Sequence, residues 1–318
     1  MSVPMGSVRI ASEEVRVNYV KTVILLVVMF ALLTGLSWLL GFLFGNIRMG
    51  LLIGMGISAL VIALEMLCAK FAVLHLTGCV KADHNDLRQR RIIQIVQGLS
   101  LSAGLPKTPE VYIMNTAVPN AFAAGWGPSS AIVAVTQGLA DMMDDQEMEG
   151  VIAHEIAHIV HRDVMICQLS AAVQSAMLIL AEILQWVGYL VAIFASSSGN
   201  SRNNRNRDDG AAGALVGLLI YLLIKPLTFL ISTLLTMAIS RKREFAADAY
   251  AVRLCSYNEG LARALEKLSG GSPRYNDRVQ KELGGAAVAP MYFYYPVSSL
   301  FSTHPDTAER IRRLRNMY

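Results

Sequence analysis

The sequence predicts a mainly α membrane protein in which four transmembrane helices carry a cytoplasmic α+β part with a small β-sheet. Three observations lead there: long stretches without charge, a lopsided distribution of lysine and arginine around them, and a short β-patterned region over residues 109–137. Across 318 residues the chain is 54% hydrophobic and 16% charged, with a mean hydropathy of +0.44. That profile excludes general disorder and fits a membrane protein whose soluble part has the size of one domain. The formal charge of +4 is small and its basic residues lie beside apolar runs, with no stripe of interleaved arginines and aromatics. No nucleic-acid partner is expected; the lipid bilayer is.

Residues 22–45 (TVILLVVMFALLTGLSWLLGFLFG) contain no charge. They suffice to cross roughly 30 Å of hydrocarbon at about 1.5 Å per residue. The run ends in Phe-Leu-Phe-Gly-Asn instead of a small-residue cleavage site, so it is expected to stay attached. Residues 49–69 make the second span, about 168–195 the third and about 211–239 the fourth. The last two exceed what a crossing needs and are expected to continue as helix into the soluble part. The chain thus divides into a tail and first hairpin (1–69), a first soluble part (70–167), a second hairpin (168–239) and a second soluble part (240–318).

Arg9, Arg16 and Lys21 precede the first span, Arg48 alone separates it from the second, and Lys70, Lys81, Arg88, Arg90 and Arg91 follow. Cytoplasmic flanks are rich in Lys and Arg, so the N-terminus and residues 70–165 are expected in the cytoplasm. Arg241, Lys242 and Arg243 after the fourth span agree; the three arginines of the 196–210 loop oppose them and are outvoted. Glu182 and Lys225 each lie about 14 residues from that loop, so an antiparallel hairpin brings them to similar depth. An ion pair between them is expected, because an isolated charge in hydrocarbon is costly. Pro226 is expected to kink the fourth span. Cys68, Cys79, Cys167 and Cys255 form no close pairs and read as reduced, buried thiols in a reducing compartment.

The segment VIAHEIAHIVHRD (151–163) lies in a helical pattern whose start is marked by the acids of Asp144-Asp145-Gln146-Glu147. On a helix, His154 and His158 share one face a turn apart, within reach of a single zinc ion. Glu155 points about 100° away, where it misses the metal yet reaches water beside it. After the fourth span, SRKREFAADAY places Glu244 and Asp248 on one helix face among alanines. Glu244 can complete a two-histidine, one-carboxylate set with a fourth position left for water, and Asp248 can hold a histidine through its other ring nitrogen. The histidine helix precedes the third span and Glu244 follows the fourth. Two crossings return the chain to the same side, as one metal site requires.

AHEIAHIVHRD, SRKREFAAD, NAFAAG and STHPDTAERI, in this order with four spans, resemble the HtpX-type membrane zinc metalloproteases, relatives of the CaaX prenyl proteases. The resemblance covers nearly the whole chain. It implies a gluzincin-type fold, one Zn2+ per chain at His154, His158 and Glu244, and Glu155 as catalytic acid and base. It also implies a multi-pass protein of the bacterial inner membrane with a cytoplasm-facing site, a zinc endopeptidase that cleaves misfolded or damaged membrane proteins in stress-linked quality control. Unfolded or misassembled membrane proteins are its expected substrates and other quality-control proteases its expected partners. His304 is the candidate oxyanion donor, with Arg310 as a second donor or a brace. His161 stands where many relatives have asparagine and lies close to the ligand face, a candidate for a metal role.

A substrate is expected to pair as an added strand with a free sheet edge at Asn120, Ala121, Phe122, Ala123 and Ala124. Residues 270–300 read as a long irregular loop, expected to cover the cleft. Two other functions fit parts of the sequence: a prenyl-protein processing protease, against which four spans weigh, and a non-catalytic membrane chaperone or scaffold with a structural zinc. A structural site is closed by a fourth protein ligand and has no use for Glu155. A transporter reading lacks internal repeats.

Overall fold

A computed structural model describes residues 5–43, 45–169, 241–271, 291–293 and 305–317, with isolated helical positions between 182 and 222. The chain divides into two compact units, Met1–Ala171 with Ile239–Tyr318, and Ala172–Ala238. Most of the expected third and fourth spans, the 196–210 loop, Lys225, Pro226 and His304 lie outside the described residues. Glu182 is an exposed helical position, and the expected pairing with Lys225 falls outside with its partner.

Helices α1 (Met5–Leu43) and α2 (Ile47–Thr77) form a hairpin. Gly45 at φ 74° makes the turn, and the Asn46 side chain accepts from the Met49 amide to start α2. Small residues let the backbones approach: a Cβ on Gly41 would meet the Gly50 Cα at 2.7 Å. The polar groups inside this seam are paired, Ser37 Oγ donating to the Gly50 carbonyl at 2.8 Å and Thr34 meeting Ser58 at 3.0 Å. Segments long and apolar enough to cross a membrane are Val15–Gly35 and Ile47–Cys68. The first starts ahead of the expected 22–45 because α1 runs unbroken through Arg16 and Lys21. The second coincides with 49–69. Leu52, Leu60 and Leu67 on the outer faces are exposed, as lipid-facing residues are.

The rest of the described part of this unit is a helical domain around a four-stranded sheet: β1 (Val80–Lys81), β2 (Glu110–Met114), β3 (Ala121–Ala124) and β4 (Ile132–Thr136) in the order β1-β2-β4-β3. β2 and β4 are parallel and the other two pairings antiparallel, so the sheet is mixed, with β3 beside β4 at the end of the strand order. Alternation divides its faces. Ala121, Ala123, Val133 and Val135 join the main core, whereas Phe122, Ala124, Ile132 and Ala134 pack on a second core shared with Val73 of α2. Helices α3 (Leu87–Ser102), α4 (Gln137–Met142), α5 (Asp145–Val160), α6 (Arg241–Cys255), α7 (Glu259–Gly271) and α8 (Thr307–Arg315) complete this part. α5 is central: Val151, Ile152, Ile156 and Ile159 are fully buried between the sheet and the α7 residues Leu261, Leu265 and Leu268.

Candidate metal centre

A capping box starts α5. The Asp144 side chain accepts from the Glu147 amide and the Glu147 carboxylate from the Asp144 amide, both at 2.9 Å. Buried Glu147 also receives Lys267 Nζ at 2.6 Å, which ties this end of the helix to α7. With both faces of α5 packed, His154, Glu155 and His158 sit on a rigid element. At the other end His161 caps the helix and Arg162 takes a left-handed conformation (φ 60°), turning the chain so that Asp163 folds back over the last turn.

His154, His158 and Glu244 each present a donor atom within 4.8 Å of the others. The two Nε2 atoms face each other at 3.1 Å, with Glu244 Oε2 3.6 Å from His154 Nε2 and Oε1 3.7 Å from His158 Nε2. Both Nδ1 atoms are held by carboxylates, His154 by Asp248 at 2.9 Å and His158 by Asp163 at 3.0 Å. A carboxylate accepts, so each Nδ1 carries its proton and, in the neutral rings, two Nε2 lone pairs and a carboxylate converge on one another. Either a proton or a cation must relieve that repulsion. Burial alone would lower the His154 pKa, but Asp248 and Glu244 raise it to about 9. Two imidazoles and one carboxylate are the donor set of an open tetrahedral zinc site, and the residues fit that ion.

Asp248 and Arg310 stand behind His154. Arg310 donates to Asp248 from Nε at 2.9 Å and from Nη2 at 2.7 Å, and its Nη1 lies 3.8 Å from Glu244. Burial would raise the Asp248 pKa, yet Arg310 and His154 hold it below the usual carboxylate range. These contacts make Arg310 a brace, the second of the two roles expected for it. His161 is also set apart from the ligand atoms. It is buried edge-on against Tyr250, with ring centroids 5.2 Å apart, and takes no place among the three converging donors. His304 lies outside the described residues.

Glu155 lines the same cavity as His158, Glu244 and Ala123, a space of about 20 Å³ that suits about one water molecule. Its Oε1 has no hydrogen-bond partner among the described residues. Desolvation raises its pKa, against the pull of His158, His154 and the Ala123 amide. Ala123 belongs to β3, where a free edge is expected over Asn120–Ala124. That edge is already partly taken. The Phe293 amide donates to the Ala121 carbonyl at 2.8 Å, and Tyr292 bridges Phe122. By strand alternation the Ala123 backbone faces the same way as that of Ala121, toward the cavity. Of the expected five-residue edge, Ala121 and Phe122 meet the Met291–Phe293 segment and the Ala123 amide meets Glu155.

Asp163, Arg243 and the Met291–Phe293 segment are site residues that sequence reasoning does not single out. Arg243 Nη1 lies 3.8 Å from Asp163, its Nη2 donates to Cys167 Sγ at 3.3 Å, and Phe293 packs edge-on to His154 at 5.0 Å. Asp163 had a signal in the Arg-Asp that closes the histidine motif; Met291–Phe293 had none beyond its aromatics.

A histidine pair on one buried helix, a carboxylate from another and a desolvated glutamate beside them, on a domain attached to helices of membrane length, define a membrane metallopeptidase. The family model described as Peptidase family M48 matches residues 86–318. A protease HtpX homologue of Dictyoglomus thermophilum is 41% identical over 230 residues, 71% of this chain and 69% of that protein. One of Pyrococcus abyssi is 34% identical over 304 residues, 94% and 96% of the respective chains. The crystal structure of S. mikatae Ste24p aligns at 17% identity with a TM-score of 0.44, over 95% of this chain and 67% of that one. The chain belongs to peptidase family M48, alongside the HtpX-type proteases.

Proposed function

We propose that this protease is a zinc-dependent endopeptidase of the bacterial inner membrane, with its N-terminus and site on the cytoplasmic face, that cleaves misfolded or damaged membrane proteins. The observation that carries the reading is the convergence of His154, His158 and Glu244 beside a desolvated Glu155. A structural zinc would call for a fourth protein ligand, and among the described residues the donor group has three members. The basic flanks around the first hairpin support the orientation. Unfolded membrane proteins as substrates, and other quality-control proteases as partners, follow from the HtpX-type resemblance.

His154, His158 and Glu244 would hold the ion. When bound, zinc supplies Lewis acidity that polarises a scissile carbonyl and brings water to nucleophilic strength near neutral pH. Glu155 accepts the proton of the attacking water and passes it to the leaving amine, a role suited to a carboxyl raised by desolvation. Asp248 and Asp163 fix the imidazole tautomers, and Arg310 keeps Asp248 ionised. An extended peptide added along the β3 edge would pair through backbone groups and so tolerate many side chains. His304 is the oxyanion donor of this scheme.

Glu155→Gln is expected to keep one zinc per chain while lowering cleavage of an unfolded membrane substrate by about 10²–10⁴-fold. Unchanged cleavage, or a wild-type chain without stoichiometric zinc, overturns the proposal.

A further inference from the structure

Asn18 lies on α1, inside the Val15–Gly35 segment apolar enough to cross a membrane, yet it is 4% exposed and faces the domain. A carboxamide in such a helix is costly unless its hydrogen-bonding groups are met. Both of its N–H donors have partners far along the chain. Nδ2 donates to Asp163 Oδ1 at 2.5 Å and to the His161 carbonyl at 3.0 Å. These acceptors flank Arg162, the left-handed residue that turns the chain back toward His158. One amide therefore stitches the turn closed from the membrane side.

The far oxygen of the same carboxylate completes the chain of contacts. Asp163 Oδ2 holds His158 Nδ1 at 3.0 Å, while among the described residues the cation nearest Oδ1 is Arg243 at 3.8 Å. Without Asn18, Oδ1 loses its one short contact among the described residues, and Asp163 can rotate about its side-chain torsions, carrying His158 with it. Resting on the metal reading above, we propose that Asn18 is a positioning residue for the metal ligand His158, acting through Asp163, so that the first membrane helix is part of the metal site's support. It touches neither ion nor substrate.

The test uses the full chain in detergent micelles, with zinc affinity measured by competition against a chelating dye and site geometry by the visible absorption of the cobalt-substituted protein. Asn18→Leu keeps the branched shape and removes the donors. It is expected to weaken zinc binding about tenfold, the low end for a partner outside the ligand sphere, and to shift the cobalt bands. Asp163→Asn alone weakens binding too, and in that background Asn18→Leu adds nothing, because its route to His158 is already broken. Thr34→Ala, which removes the polar contact with Ser58 higher on α1, leaves zinc affinity unchanged.

Wild-type affinity in Asn18→Leu, or an effect that adds in full to that of Asp163→Asn, overturns the inference. Should Asn18→Leu fail to fold, Asn18→Ser, which retains one donor, is read by the same criteria, with a smaller loss expected. A wild-type chain that binds no zinc sinks the metal reading itself, whereas a zinc-loaded wild type with an indifferent Asn18 variant sinks only this inference.

Discussion

Asp248→Leu removes the buried support behind His154 while keeping side-chain size. Asp248 is 1% exposed and accepts from His154 Nδ1 at 2.9 Å, Arg310 Nε at 2.9 Å and Arg310 Nη2 at 2.7 Å. Its loss leaves Arg310, 2% exposed, with Glu244 at 3.8 Å as its remaining carboxylate. Removing one member of a buried ion pair costs about 3–5 kcal/mol, because the other charge stays out of water uncompensated. The Glu244 contact places this case near the lower end, about 3 kcal/mol, and zinc affinity falls about 10–100-fold as His154 loses its orienting acceptor. Arg310→Met costs a similar amount by leaving Asp248 unpaired. Together the two replacements remove both charges, and what remains is the unmet His154 N–H, about 1–3 kcal/mol. The double variant is therefore more stable than the sum of the singles by several kcal/mol. Chemical denaturation of the metal-free chain in micelles, run on all four combinations, measures that coupling. Additive losses would show that Arg310 does not brace Asp248.

Two further outcomes concern the helix that carries the histidines. Burial lowers the His161 pKa from 6.5 to about 4. The unfolded chain takes up this proton between those values and the folded chain does not, so stability is complete above about pH 6.5 and declines as pH falls toward 4, by up to about 3 kcal/mol. His161→Asn removes that decline; denaturation across this range with the same slope in both proteins contradicts it. At Gly150 a Cβ would sit 2.7 Å from the backbone nitrogen and 2.9 Å from the Cα of Leu261, so Gly150→Ala must push α5 and α7 apart. A loss of about 1–3 kcal/mol is expected, and an unshifted denaturation midpoint denies the close crossing.

Much of the centre is legible in the sequence because local spacing encodes it. His154 and His158 share a face by helical geometry alone, and Asp144 and Glu147 announce the start of α5. The ring nitrogen partners divide differently. Asp248 sits one turn from Glu244 and is readable, but Asp163 reaches His158 only through the left-handed Arg162, a conformation no periodicity shows. The β3 edge illustrates the same limit. Its pattern marks a strand, yet what pairs with Ala121 is Phe293, more than 170 residues away, and nothing local in NAFAAG foretells it. Asn18 is a further case: within an apolar helix its side chain reads as an exception until the fold supplies Asp163 and the His161 carbonyl.

Charge explains why so apolar a chain keeps this centre. Asp163, Glu244, Asp248 and Glu155 are buried together with the two guanidiniums of Arg243 and Arg310. With neutral imidazoles, four carboxylates against two cations leave a formal charge of −2 that water does not screen. Two protons or one divalent ion settle it. The pKa shifts of His154 and Glu155 are both upward, the direction that favours their protonated forms. A dication held at the Nε2 atoms and Glu244 would supply the same charge at one point and would favour ionised Glu155, its field opposing the desolvation that raises that pKa. The donor geometry and the charge balance are separate properties of the fold, one set by the packing of α5 against α6 and the other by which charged side chains are buried. Both select a divalent ion, and a closed, merely structural site has no need of a desolvated carboxyl held beside it.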